Sequence, residues 1–228
     1  MENSGDRRPI KARASGWARW MARLLAREHA GPNLISAASV AFAILGAVLM
    51  LGAGVTGPAA ARAPLLVVAA ACIQLRLLCN LLDGMVAVEY GRGSSAGPIW
   101  NELPDRLSDV ILLAAAGYSA SAGGIRFASE AGWIAAMLAL LTAYLRELGR
   151  GLGFPSDFSG PMAKQRRMDV LALACLVSTL EPLWRWRGGT LTIGLVVIAL
   201  GAAVTAVRRT RTLARRLKER AGPQGDDE

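Results

Sequence analysis

The segment LISAASVAFAILGAVLMLGAGV, residues 34–55, decides the fold class. It is a continuous apolar run close to the ~20 residues that a helix needs to cross a bilayer. Five further runs of comparable length follow, at Pro64–Ala87, Asp105–Gly123, Gly132–Leu148, Met168–Leu183 and Leu191–Val207. The 228-residue chain is 53% hydrophobic, which excludes disorder and disfavours an ordinary soluble enzyme. Aromatic residues make up only 6% while alanine and glycine are abundant, which suits closely packed helices better than a membrane barrel. The expectation is an all-α integral membrane protein: residues 1–30 a basic amphipathic segment, 31–207 a domain of six transmembrane helices, and 208–228 a basic, then acidic tail. The third and fourth runs, with a polar start and with Arg146 and Glu147 respectively, could alternatively be read as buried helices of a soluble protein.

The formal charge is +9, from 26 Lys+Arg against 17 Asp+Glu, and its placement carries the information. Basic residues crowd the N-terminal segment, the loop after the fourth run (Arg150, Lys164, Arg166, Arg167) and the tail, and are sparse on the opposite side. The positive-inside rule puts both termini and the loops after runs two and four in the cytoplasm. A membrane side-marker explains this charge better than a nucleic-acid partner does. Residues 16–29 set Trp17, Trp20, Met21, Leu24 and Leu25 against arginines, the pattern of a helix lying on the anionic inner leaflet. Trp184–Arg187 reads as an interfacial anchor on the far side. No cleavable signal peptide is expected, because the first thirty residues lack an apolar core. Cys72, Cys79 and Cys175 lie in apolar stretches and read as buried thiols, and His29 is the sole histidine, which disfavours His-centred zinc or triad chemistry.

Ionisable groups inside spans are costly and mark function by default. Here they gather at the cytoplasmic ends of runs two and three: Arg76, Asn80, Asp83, Asn101, Glu102, Asp105, Arg106 and Asp109. Asn80, Asp83, Gly84 and Ala87 share one helical face, and Asn101, Asp105 and Asp109 repeat at four-residue steps. Two such oxygen-bearing stripes facing each other would cage a hard divalent cation such as Mg²⁺. The alternative is simple pairing with Arg76 and Arg106 or capping of helix ends. Pro104 would either kink the third helix or mark its start, the latter leaving Asn101 in a loop.

Asn80-Leu-Leu-Asp83-Gly84-Met-Val-Ala87-Val88, followed after eight residues by Gly97, then Asn101 and Asp105 at four-residue steps, resembles the signature of the CDP-alcohol phosphatidyltransferase family, D-x2-D-G-x2-A-R-x8-G-x3-D-x3-D. The spacing agrees throughout, and Pro32-Asn33-Leu-Ile-Ser36 is similar to the family's Pro-Asn-x-x-Thr at the start of its first span. Three positions depart: Asn80 and Asn101 replace the first and third aspartates, and Val88 replaces the arginine. Each asparagine keeps a carbonyl oxygen and loses a charge. A two-metal site built here would therefore be weaker, or would hold one ion firmly and the other only together with substrate phosphates.

The resemblance implies transfer of the phosphatidyl group of CDP-diacylglycerol to an alcohol acceptor with release of CMP, in phospholipid biosynthesis. It implies Mg²⁺ or Mn²⁺ held by Asn80, Asp83, Asn101 and Asp105, with Asp105 the base and Asp109 competing for that role. Asn33, Ser36, Gly84 and Ala87 would receive the nucleotide diphosphate. Arg150, Lys164 and Arg166 are candidates to bind an anionic acceptor, against a reading as topology markers. A homodimer in the cell inner (cytoplasmic) membrane, among membrane lipids, is the implied setting. Two alternatives remain open, a CDP-alcohol phosphotransferase acting on diacylglycerol and a non-catalytic lipid- or nucleotide-binding member. A transporter fits less well, because the charges cluster at one membrane face.

Overall fold

The computed structural model describes residues 15–27, 31–89 and 97–222, and among these every long element is a helix. They are α1 (Gly16–Arg27), α2 (Pro32–Val55), α3 (Ala59–Glu89), α4 (Gly97–Ala122), α5 (Ala128–Gly151), α6 (Lys164–Ser178) and α7 (Gly189–Ala221), with a 3-10 turn at Glu181–Trp184. The N-terminal residues, His29, Arg92 and the last six positions lie outside the described residues. α2 packs against α3 and α4, α4 against α5, α5 against α7, and α6 against α3 and α7. The result is a single bundle with all-α integral membrane architecture.

Among the described residues, α2, α3, α5 and α7 are long and apolar enough to cross a bilayer by composition alone. α4 misses that standard because Glu102, Asp105, Arg106 and Asp109 lie on it, and α6 because its 15 residues reach only ~22 Å. The predicted run Met168–Leu183 is thus corrected: its helix starts earlier and stops at Ser178, and the chain turns through the 3-10 segment to reach α7. α4 begins at Gly97 and continues through Pro104, so Asn101 is helical and not in a loop. α7 runs without interruption past residue 207, so the basic stretch that follows extends the helix.

Small residues let these helices touch backbone to backbone. A Cβ added to Gly132 of α5 would lie 2.8 Å from the Leu113 carbonyl oxygen of α4, and one on Gly117 2.6 Å from the Ala128 carbonyl oxygen. Dispersion across such close crossings is the main attraction between helices already solvated by lipid. The interior is mostly alanine with a few large side chains such as Met50, Ile73, Leu112 and Leu195. Ile44, Leu45, Val48, Met137 and Leu200 stay exposed, as lipid-facing residues do.

α1 is three-sided. Ala18 and Ala22 are buried against Leu81, Leu82, Met85 and Val86 of α3, with Met21 and Leu25 beside them. Trp17, Trp20 and Leu24 face outward, and Arg19, Arg23 and Arg27 form a third stripe. Met21 and Leu25, grouped by the sequence with the lipid face, therefore turn toward the protein.

The bundle has two polar ends. At one, Glu181 is fully buried, pairs with Arg62 at 2.9 Å and accepts the N–H groups of Gly188 (2.9 Å) and Thr190 (2.7 Å). Arg187 donates to the Gly54 and Thr56 carbonyls at the end of α2, a structural tie where the sequence suggested only an interfacial anchor. Burial pushes the Glu181 carboxyl up, but the N–H donors of Thr190 and Gly188 and the Arg62 guanidinium outweigh it and hold it below the usual glutamate range. A carboxyl depressed by folding adds stability above its unfolded pKa of about 4.3, and that stability is lost as pH falls through the lower folded value. Glu181→Gln is expected to cost about 3 kcal/mol by stranding Arg62. It should also flatten the loss of thermal stability that the wild type shows below about pH 4; melting of detergent-solubilised protein across pH 3–6 checks both.

Candidate active site

At the other end, the C-terminal half of α3 meets the start of α4, the end of α5 and the start of α6. The four-residue steps of the sequence place Arg76, Asn80 and Asp83 on α3 toward Asp105 and Asp109 on α4, and α6 adds Lys164 and Arg167 one turn apart.

Asp109 is the structural centre. Arg76 Nη2 donates to its Oδ1 at 2.8 Å and Arg167 Nη2 to its Oδ2 at 2.9 Å, and all three side chains are buried. Arg167 Nη1 also donates to Thr142 Oγ1 of α5 at 3.0 Å, and Arg76 Nη2 to the Asp105 carbonyl at 3.0 Å. One carboxylate thereby ties α3, α4 and α6 together, with α5 one bond away. Both Asp109 oxygens are committed to guanidinium groups.

Asp105 sits one turn earlier. Asn80 Nδ2 donates to its Oδ1 at 2.6 Å, and the Lys164 ammonium pairs with its Oδ2. Arg76 and Arg106 approach it at 3.5 and 3.9 Å. Asp83 differs. Ser36 of α2 donates to its Oδ2 at 2.7 Å, while its Oδ1 is buried with no hydrogen-bond partner. A buried anionic oxygen without a donor is costly unless a cation meets it. Gly84 and Ala87 are half-buried beside it and leave the α3 backbone approachable, as does half-buried Asn33 at the start of α2.

Of the predicted residues, Ser36, Asn80, Asp83, Asp105 and Lys164 come together directly, and Asp109 joins through Arg76. Asn101 is on α4, but its side chain lies outside the described residues. Arg166 is exposed and donates to the Pro161 carbonyl, and Arg150 is exposed and paired with Glu147. The sequence offered Arg167 and Arg146 only as members of basic stretches that could receive an anionic acceptor, and did not foresee that Arg167 closes on Asp109 or that Arg146 pairs with Glu102 across α4 and α5. The available signal was spacing: Arg167 lies three residues from Lys164, on the same helical face.

The loop between α5 and α6 is fastened to α7. Met162 N–H donates to Thr205 Oγ1 at 3.1 Å, and Arg209 donates to the Ser159 carbonyl at 3.1 Å and the Thr142 carbonyl at 2.6 Å. Gly160 has φ of +118°, and a Cβ there would lie 2.4 Å from Thr205 Cγ2, so glycine is required on both counts. In the same loop, burial raises the Asp157 carboxyl, but the Ser159 hydrogen bonds and the charges of Arg209 and Arg216 bring it below the usual aspartate range.

The orphaned Asp83 oxygen is a hard anionic donor that a divalent cation would satisfy. The described residues contain no group of three or more acidic, histidine or cysteine side chains able to hold a metal.

This all-α membrane bundle, with a polar cluster at one end, is similar in fold to solved structures of a phosphatidylinositol phosphate synthase. The structure of Mycobacterium tuberculosis phosphatidylinositol phosphate synthase PgsA1 with CDP-DAG bound matches with a TM-score of 0.71 at 20% identity, over 87% of this chain and 94% of that one. The same enzyme in complex with manganese and citrate matches with a TM-score of 0.70 at 20% identity, over 86% and 88%. The likeness to these structures is one of fold and covers most of the chain. Among curated proteins, the Inner membrane protein YnbA of Escherichia coli (strain K12) is 26% identical over 193 residues, 83% of this chain and 87% of that protein. No protein-family model matches the chain.

The two aspartates are expected to respond oppositely to amidation. Asp109→Asn removes the charge that two buried guanidinium groups share and should destabilise by about 3–5 kcal/mol. Asp83→Asn relieves a buried, half-unsatisfied anion and should leave the melting temperature unchanged or raise it, as substitution at a strained functional group does. Thermal unfolding of both variants in metal-free detergent solution checks this.

Proposed function

We propose that the protein is an integral-membrane phosphatidyltransferase that moves the phosphatidyl group of CDP-diacylglycerol to an alcohol and releases CMP. The observation that carries this reading is the convergence of Ser36, Asn80, Asp83 and Asp105 at one end of a bundle whose fold matches a synthase solved with CDP-DAG bound. That match favours CDP-diacylglycerol as donor over a CDP-alcohol.

The acceptor hydroxyl attacks the lipid-side phosphorus, the bond to the CMP oxygen breaks, and the hydroxyl proton goes to a carboxylate. Asp105 takes this proton; Asp109, closed by Arg76 and Arg167, orients Asp105 through the shared Arg76. Asn33, Ser36, Gly84 and Ala87 line the approach of the nucleotide diphosphate, and Asp83 and Asn80 would hold a Mg²⁺ or Mn²⁺ ion. Such an ion, when bound, neutralises charge growing on the departing nucleotide. Arg150 and Arg166, exposed at the rim, attract an anionic acceptor toward Lys164.

With the positive-inside rule, this end of the bundle faces the cytoplasm, as do both termini. Membership of the cell inner membrane agrees with the YnbA likeness, and a homodimer is the assembly the reading carries. CMP would then leave into water while the acyl chains stay in lipid.

The test is CMP release by purified protein in detergent with CDP-diacylglycerol, Mg²⁺ or Mn²⁺ and a panel of free and phosphorylated polyols. Acceptor-dependent release is expected, falling at least about 100-fold in Asp105→Asn and Asp83→Asn. Metal-dependent nucleotide binding without release under any acceptor would instead support a binding protein that keeps the pocket without the reaction.

A further inference from the structure

We infer that Lys164 acts as a built-in cation of the site, so that the chain binds a single divalent ion at Asp83 where its oxygen stripes suggested two. The inference concerns the same site as the proposed transferase reading and adds how its positive charge is supplied.

Three observations carry it. Each oxygen of Asp105 already has one donor, Oδ1 the Asn80 amide N–H and Oδ2 the Lys164 ammonium, which leaves lone pairs for a proton but neutralises its charge toward a metal ion. Asp83 presents the open anionic position, a buried Oδ1 with no donor. The charge balance points the same way. Asp83, Asp105 and Asp109 share their space with Arg76, Arg167 and Lys164, while Arg106 pairs with Glu102 and Arg146 with Glu102 and Glu147. Two divalent ions would add a charge of +4 to a site whose resident charges already cancel, and buried charge needs compensation. One ion adds half that charge, beside the one carboxylate oxygen that no donor has taken, and a nucleotide diphosphate that arrives later can balance the remainder.

Lys164 is well placed to be permanent. It is the first residue of α6, its backbone continues from the loop fastened to Thr205 and Arg209, and its neighbour one turn on, Arg167, is locked to Asp109. An ammonium held this way cannot exchange with solvent as a metal ion does. It supplies charge and hydrogen bonds and no vacant coordination position. The asparagines at positions 80 and 101 fit the same economy, since a site with a resident ammonium needs fewer acids.

The experiment counts Mn²⁺ ions per chain by electron paramagnetic resonance titration of full-length protein in detergent, without nucleotide. It uses the wild type, Asn80→Asp, and Asn80→Asp combined with Lys164→Met. The expected counts are one, one and two: the added acid alone fails to recruit a second ion because the ammonium still holds Asp105. Combining Asn80→Asp with Lys164→Arg, which keeps the charge, should return the count to one, and Lys164→Gln replaces Lys164→Met if the latter does not yield monodisperse protein. Two ions in the wild type or in Asn80→Asp, no ion in the wild type, or one ion in the Lys164-neutralised double variants would each overturn the inference. Because ions are counted without substrate, the result stands apart from CMP release, and failure of the transferase reading would show only in that other assay.

Discussion

The buried pairing of Asp109 with Arg76 and Arg167 is the constraint on which the site end of this bundle depends. A carboxylate held between two guanidinium groups in a low-dielectric interior is stable only while every partner stays in place, so α3, α4 and α6 are fixed in mutual register by one set of charges. That register sets Asp105 against Asn80 and Lys164, and Asp83 against Ser36. The far end is organised by the same principle with different residues, Glu181 gathering Arg62 and the start of α7. Between these two polar knots the helices need only alanine, glycine and dispersion.

This division of labour explains why α4 can cross the bundle while carrying so many ionisable groups. Its charges face partners on α3, α5 and α6 and are not offered to lipid. The backbone contacts at Gly117 and Gly132 then bring α4 close enough to α5 for Glu102 to reach Arg146. Stability and chemistry are therefore allotted to neighbouring carboxylates on one helix face: Asp109 is saturated, Asp105 is partly held, and Asp83 keeps an open oxygen.

Much of this was legible in the sequence because it is encoded locally. Residues 34–55 announce a spanning helix by length and apolarity alone, and the steps of three and four between Asn80 and Ala87 place that face without tertiary information. The start of α4 was less legible, since Pro104 suggests a break that the helix absorbs by starting upstream. The end of α6 at Ser178 had a signal in Glu181 and Pro182, an acid and a helix breaker, which the flanking Leu180 and Leu183 masked by prolonging the apolar pattern. Least legible were the partners of the acids. Lys164 and Asp105 are 59 positions apart, and Arg167 and Asp109 are 58 apart, so in the sequence both cations merge into the basic run that marks the cytoplasmic side.

The fastening of residues 159–162 to α7 bears on how ligands come and go. A segment held by Thr205 and Arg209, with a glycine wedged against the neighbouring helix, is poorly suited to swing away as a lid. Exchange at this site then falls to side chains at its mouth such as the Arg146–Glu102 pair, whose rotamer changes are faster than loop or domain movements. Access becomes a matter of Arg146 and Glu102 parting, and the backbone around the pocket can remain a fixed frame throughout a turnover.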